Sequence, residues 1–123
     1  MPLIPQDALP YFENMIYFPM IIQILEKDRK SIENGPFKLK GPYLKLIDGA
    51  LEILRIEQKE TNIYLRRHSM KVIKGQNEGS LTQYTFMHGG YEDHRRYLNV
   101  RLRNRTEELI SIYFAKAELK IKI

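Results

Sequence analysis

The sequence predicts a mainly α protein, with three long helices in a bundle and a β-hairpin between helices two and three. Three observations predict it. Apolar residues recur at helical spacing in three separate stretches. Between the second and third stretch the pattern changes to β-branched and aromatic residues around a cluster of turn formers. Asn34-Gly35-Pro36 and Gly89-Gly90 punctuate the chain where helices should stop or start. With 123 residues, one domain over 1–123 is expected, large enough for a core without staples.

In helix one the apolar positions are Ala8, Phe12, Met15, Phe18, Ile22, Leu25 and Ile32. Asp7 stands where a helix cap is wanted, and Pro10 falls in the first turn, where its missing N–H costs little. Pro19 predicts a kink near Met15, whose carbonyl loses its donor. Helix two is expected from Pro42 to His68, along Leu44, Ile47, Leu51, Leu54, Gln58 and Leu65. The hairpin strands are expected at Met70–Lys74 and Leu81–His88, with GQNEGS as their loop. Helix three then follows Gly89-Gly90, with Glu92 and Asp93 in its first turn, and runs to about Ala117. The tail ELKIKI alternates apolar and charged residues and is compatible with an edge strand, a helical extension or a frayed end.

Composition narrows the function classes. The chain has no cysteine, which removes disulfides, cysteinyl zinc sites and thiol nucleophiles and fits a reducing cytoplasm. The start MPLIPQDALP has neither a basic run nor a small-residue cleavage site, so no secretory signal is expected. The most apolar run, Met15 to Leu25, falls short of the roughly 20 residues a bilayer requires, and no membrane partner is expected.

The net charge is +5, and residues 35–74 carry nine basic groups against four acidic ones. Five arginines crowd into HGGYEDHRRYLNVRLRNR, residues 88 to 105. On a helical wheel beginning at Tyr91, the core stripe is Tyr91, His94, Leu98, Leu102, Leu109 and Ile112. Arg95 and Arg101 border this stripe, Arg105 falls inside it, and Arg96 and Arg103 lie opposite. Arginines that surround a helix do not make the single face that a groove-reading helix presents. Arg105 inside the stripe would need an acidic partner such as Glu13, Asp48 or Glu52, or would have to send its head back to water.

His88 and His94 flank Glu92 and Asp93, but no HExxH pair accompanies them, and a metal site needs three or four convergent ligands. No cofactor fingerprint and no recognisable nucleophile context is present, which argues against an enzyme and implies no cofactor. The adjacent carboxylates Glu92–Asp93 and Glu107–Glu108 would diverge by about 100° on a helix, the wrong geometry for acid–base work on one bond. The eight tyrosines are spread along the chain and read most simply as core and interface rings.

The stretches GPFKLKGPYL, LRRHSMKVIK and YTFMHGGYEDH together resemble an uncharacterised helical protein family of Bacillus-type bacteria, over nearly the whole chain. The resemblance implies a cytoplasmic bacterial protein and carries over no functional residues.

The function expected from these features is a non-catalytic interaction or regulatory protein. Helix one is apolar around much of its circumference, which predicts a homodimer with Ile16, Tyr17, Met20 and Ile21 at the interface. The second reading is a nucleic-acid-binding accessory protein contacting phosphates through Arg66, Arg67, Lys71, Lys74, Arg96 and Arg103. The third is an interhelical anion pocket lined by His94, Arg101 and Arg105.

Overall fold

The computed structural model describes residues 4–122. Helix α1 spans Leu9–Asn34 and helix α2 Gly41–Arg67. Strands β1 (Met70–Glu78), β2 (Leu81–His88) and β3 (Tyr91–Leu98) follow, and helix α3 (Asn99–Lys122) closes the chain. The α1–α2 connection is short, so the two helices pack antiparallel. Asn14 donates to the Thr61 hydroxyl at 3.3 Å near one end, and the Arg29 guanidinium donates to Asp48 at 2.6 Å near the other. Helix α3 runs antiparallel to α2 as well. The Tyr113 hydroxyl donates to Glu57 at 2.8 Å, and Lys120 lies 2.8 Å from Glu52. Helix α2 therefore packs against both neighbours, while α1 and α3 lie parallel and meet over a shorter seam.

The helical core is built from Phe18, Ile21 and Leu25 of α1, Ile47, Ala50, Leu51 and Leu54 of α2, and Tyr113 and Ala117 of α3. Gly49 lets α3 come close to α2, since a Cβ there would sit 3.2 Å from the Ala117 methyl. A second cluster joins the helices to the sheet. Phe12 and Ile16 of α1 and Leu65 of α2 pack there with Met70, Tyr84, Phe86 and Leu102. The Phe12 and Phe86 rings stack at 4.7 Å.

The sheet corrects the expected fold. The chain is mainly α, but the element between helices two and three is a three-stranded antiparallel sheet of order β1-β2-β3, not a hairpin beside a plain bundle. Gly89-Gly90 does not precede a helix. It is the two-residue turn between β2 and β3, with His88 opposite Tyr91 and φ of +56° and +88°. Positive φ at both central residues matches the twist of the flanking strands, and glycine reaches it without strain. Tyr91 to Leu98 is a strand, and α3 begins only at Asn99. Glu92 and Asp93 are accordingly strand residues rather than partners of a helix terminus.

The other turn is also tighter than expected. Most of GQNEGS belongs to β1, and only Gly79-Ser80 forms the loop, with Gly79 at φ +68°. The register of β1 shifts between Lys74 and Asn77. Gly75 sits at this irregularity, where a Cβ would come within 3.1 Å of the Gln83 carbonyl oxygen. The tail ELKIKI continues α3 as far as Lys122. The readings placed on residues 1–3 and on Ile123 lie outside the described residues. Among the described residues no helix is long and apolar enough to cross a membrane.

Candidate functional site

Alternation along β2 turns Thr82, Tyr84 and Phe86 onto the helices, and the pairing places Tyr97, Arg95 and Asp93 of β3 on the same inner face. Arg95 donates to Asp93 at 2.9 Å, and its guanidinium lies 5.0 Å from the centre of the Phe86 ring. The pair spans i, i+2 on one strand, so its charge is met locally while the stem packs on an aromatic. On the outer face His94 is bonded to Thr85 at 2.9 Å and lies 3.4 Å from Glu92. Asp93 points the other way, so these three side chains do not converge as metal ligands. Among the described residues no group of three or more His, Asp and Glu side chains does so.

Helix α3 begins against the first hairpin, and Asn99 makes the joint. Its backbone N–H donates to the Ser80 carbonyl at 2.8 Å. Its side-chain amide donates to the Gly79 carbonyl at 2.9 Å and to the Asn77 side chain at 3.2 Å. The Asn99 side-chain carbonyl accepts from the Thr82 hydroxyl at 2.6 Å. The inward positions that follow are Leu102, Thr106, Tyr113 and Ala117. This stripe corrects the wheel begun at Tyr91. Thr106 holds the core position, and Arg105 is exposed, 2.9 Å from Glu108.

Thr106 is small for a seam position. Its hydroxyl donates back to the Leu102 carbonyl at 2.7 Å and reaches the Met20 sulfur at 3.8 Å. A small residue here leaves α1 and α3 imperfectly closed. The result is a groove of about 490 Å³ lined by Met20, Gln23 and Ile24 of α1, Thr82 of β2, and Asn99, Leu102, Arg103, Thr106, Glu107 and Ile110 of α3. The lining is mainly apolar. Its inner polar atoms, on Thr82, Asn99 and Thr106, are already bonded within the chain. At the rim stand Arg103 and Glu107, one turn apart and exposed, and neither is in an ion pair among the described residues. Ile24 lies open on the opposite lip at 40% exposure.

Three tyrosines are held in the neutral form near the sheet. Burial, reinforced by the charge of Glu13, raises Tyr17 above its ordinary range, with Arg105 opposing. Tyr97 is pushed up to about 12 by burial first and by Glu13 second, against the pull of Arg95. Burial also raises Tyr84, whose ring meets that of Tyr97 edge-on at 5.7 Å.

The residues singled out from the sequence do not assemble as one site. Arg66 and Arg67 are exposed at the end of α2, and Lys71 and Lys74 are exposed on β1. Of these, Arg66 and Lys71 line one small cleft with Asn62 and Met15. Arg96 lies on the outer face of β3 opposite Gln83, away from the helical position given to it beside Arg103. The His94, Arg101 and Arg105 pocket is not formed, because His94 is on the outer sheet face while Arg101 and Arg105 are exposed on α3. Ile16 and Ile21 are buried within the chain's own core, and Tyr17 and Met20 are half-buried against it. Sequence reasoning missed Gln23, Ile24, Thr82, Thr106 and Glu107. For Thr106 and Glu107 the signal was the change from period two to period 3.6 at Asn99, which the wheel begun at Tyr91 concealed.

Comparison with known proteins agrees with the resemblance carried by the three quoted stretches. A family model described as YhjD protein matches residues 3–118. An uncharacterised protein YhjD of Bacillus subtilis (strain 168) is 33% identical over 113 residues, covering 92% of this chain and 94% of the relative. No solved structure matches. The chain belongs to the YhjD protein family.

Proposed function

We propose that the chain is a non-catalytic interaction protein of the cytoplasm that acts as a homodimer joined along the α1–α3 groove. The observation that carries this reading is the rim of the groove, where Arg103 and Glu107 stand unpaired beside an apolar lining and the open side chain of Ile24. In a two-fold interface a residue away from the axis meets a different residue of the other copy, and the contact is repeated in reverse on the far side of the axis. Two opposite charges one helical turn apart suit it, with Arg103 facing the partner's Glu107 on both sides. Ile24 of each copy then supplies the apolar filling that the groove lacks. The satisfied state of Thr82, Asn99 and Thr106 supports packing over chemistry, because none is left poised toward a ligand.

Charge reversal tests the arrangement. Arg103→Glu alone and Glu107→Arg alone should each weaken the dimer about tenfold, since two symmetry-related rim pairs turn repulsive. The double variant should restore it. Equal dimer strength in all four proteins, measured by sedimentation equilibrium, would remove the groove from the interface.

A second reading rests on the α2–β1 junction. Arg66, Arg67, Lys71 and Lys74 are exposed, and none is in an ion pair among the described residues. This grouping favours contact with phosphates as a nucleic-acid accessory protein. Binding of labelled RNA or duplex DNA must then fall steeply as salt rises, because neutralised phosphates release counterions. Binding that ignores Arg66→Ala/Lys71→Ala would exclude the junction as the contact.

A further inference from the structure

We propose that the free edge of β3 pairs antiparallel with β3 of a second copy, joining two sheets into one of six strands, and that this contact is separate from the α1–α3 groove. The sheet has two edges, and they differ. Strand β1 packs beside α1 and α2, and its register breaks between Lys74 and Asn77, the kind of irregularity that turns an edge away from pairing. Strand β3 pairs with β2 without a break over all eight residues, and among the described residues no strand lies on its other side. The Gly89-Gly90 turn closes on the His88–Tyr91 pair, so Tyr91, Asp93, Arg95 and Tyr97 turn their backbone groups towards β2. Glu92, His94 and Arg96 turn theirs outward, where a further strand would complete the ladder.

The order of charges along β3 selects a second copy as the occupant. Charges on an edge strand deter pairing where like meets like. Here the acids, Glu92 and Asp93, come first, and the bases, Arg95 and Arg96, come last. Residues opposed across an antiparallel pair share a face, so a two-fold axis must pass beside one residue rather than between two. Centred on His94, it sets Glu92 against Arg96 of the other copy on the outer face and Asp93 against Arg95 on the inner face, each twice. Centred on Asp93 or on Arg95, it would set that residue against its own copy, like charge on like. The outer pair is available, for Arg96 is in no ion pair among the described residues and Glu92 has only His94 beside it, at 3.4 Å. Their neighbours on β2 are Gln83 and Met87, both neutral, so nothing on that strand offsets them. The inner pair, bonded within the chain at 2.9 Å, becomes an alternating cluster of four charges. Leu98 comes beside Gly90 of the other copy, where no side chain obstructs it. Eight residues a side make a contact smaller than that of a stable dimer. The edge therefore links chains, or groove dimers, in concentrated protein and does not hold a dilute dimer.

The test uses the full chain, which contains no cysteine, so an introduced one reports the register. His94→Cys places two sulfurs across the axis with Cα atoms about 5.5 Å apart, within reach of a disulfide. Arg96→Cys alone leaves its two copies four residues out of step, about 14 Å apart and beyond reach. Glu92→Cys/Arg96→Cys opposes two cysteines on each side and should cross-link as His94→Cys does. Each variant is oxidised in concentrated protein, with and without Ile24→Glu, which opens the groove contact. The expected result is a covalent dimer from His94→Cys in both backgrounds, about tenfold above Arg96→Cys. Adding Glu92→Arg to His94→Cys should lower the yield about tenfold, because both outer pairs turn repulsive, and adding Arg96→Glu as well should restore it. Absence of the covalent dimer from both His94→Cys and Glu92→Cys/Arg96→Cys would overturn the proposal, as would equal yields from His94→Cys and Arg96→Cys. A cross-link that disappears with Ile24→Glu would also overturn it, and would assign the association to the groove alone.

Discussion

Asn99 holds together three parts of the chain that are distant in sequence. It ties the Gly79-Ser80 turn, β2 and the first turn of α3 through one backbone and three side-chain hydrogen bonds. Thr82 is buried, and Asn99 supplies the acceptor for its hydroxyl. Asn99→Ala removes that acceptor and should lower stability by about 1–3 kcal/mol, the range for stranding a buried polar group. Urea denaturation measures it, and an unchanged midpoint would show that the joint is not needed. Tyr97 gives a second prediction. Its folded-state pKa of about 12 lies above the ordinary tyrosine value near 10. The folded protein then keeps a proton that the unfolded chain releases, so the stabilisation is complete below pH 10 and is lost as pH rises towards 12. Tyr97→Phe should flatten the loss of stability between those pH values, after allowance for Tyr84 and Tyr113, which burial shifts in the same direction. A slope identical to wild type would contradict the burial of the Tyr97 hydroxyl.

Among the elements, the sheet depends on its two glycine turns. Placing an L side chain at φ near +56° or +88° costs about 1–2 kcal/mol per residue, so Gly89→Ala/Gly90→Ala should destabilise the protein by about 2–4 kcal/mol. Thermal unfolding followed by circular dichroism would register this as a lowered midpoint, and no change would mean that the turn conformation is different. Helices α1 and α2 were legible in the sequence because their apolar residues keep one period over many turns, Gly35-Pro36 ends α1 and Gly41-Pro42 opens α2. The third strand was not legible. YEDHRRYL places charged residues on both faces, and its inward Asp93 and Arg95 neutralise each other and use Phe86 as a platform. That contact comes from β2 and cannot be seen in β3 alone. The same local sequence, with acids first and arginines later, imitates the charge order of a helix start. Once Asn99 is taken as the first residue of α3, Thr106 moves into the core and Arg105 out of it.

At the scale of the whole molecule, three helices in a layer leave one seam short of atoms. Helix α2 is covered on both sides, while α1 and α3 part above Thr106 and expose an apolar groove with a charged rim. The apolar circumference of helix one predicts a homodimer, and the positions the sequence offers for its interface are Ile16, Tyr17, Met20 and Ile21. The structure buries Ile16 and Ile21 in the chain itself. The side of α1 left open instead carries Ile24 and Gln23, three or four residues past Met20. A helical wheel could not distinguish these faces, because both are apolar and only the position of α2 decides which one is covered. The measurement that tests the dimer most directly is sedimentation equilibrium of the wild-type chain and of Ile24→Glu, a substitution at an exposed position that leaves the core intact. The predicted result is a wild-type mass of twice the chain's 14.6 kDa and a folded monomer for Ile24→Glu. A monomeric wild type, or a dimer that survives Ile24→Glu unchanged, would contradict the account.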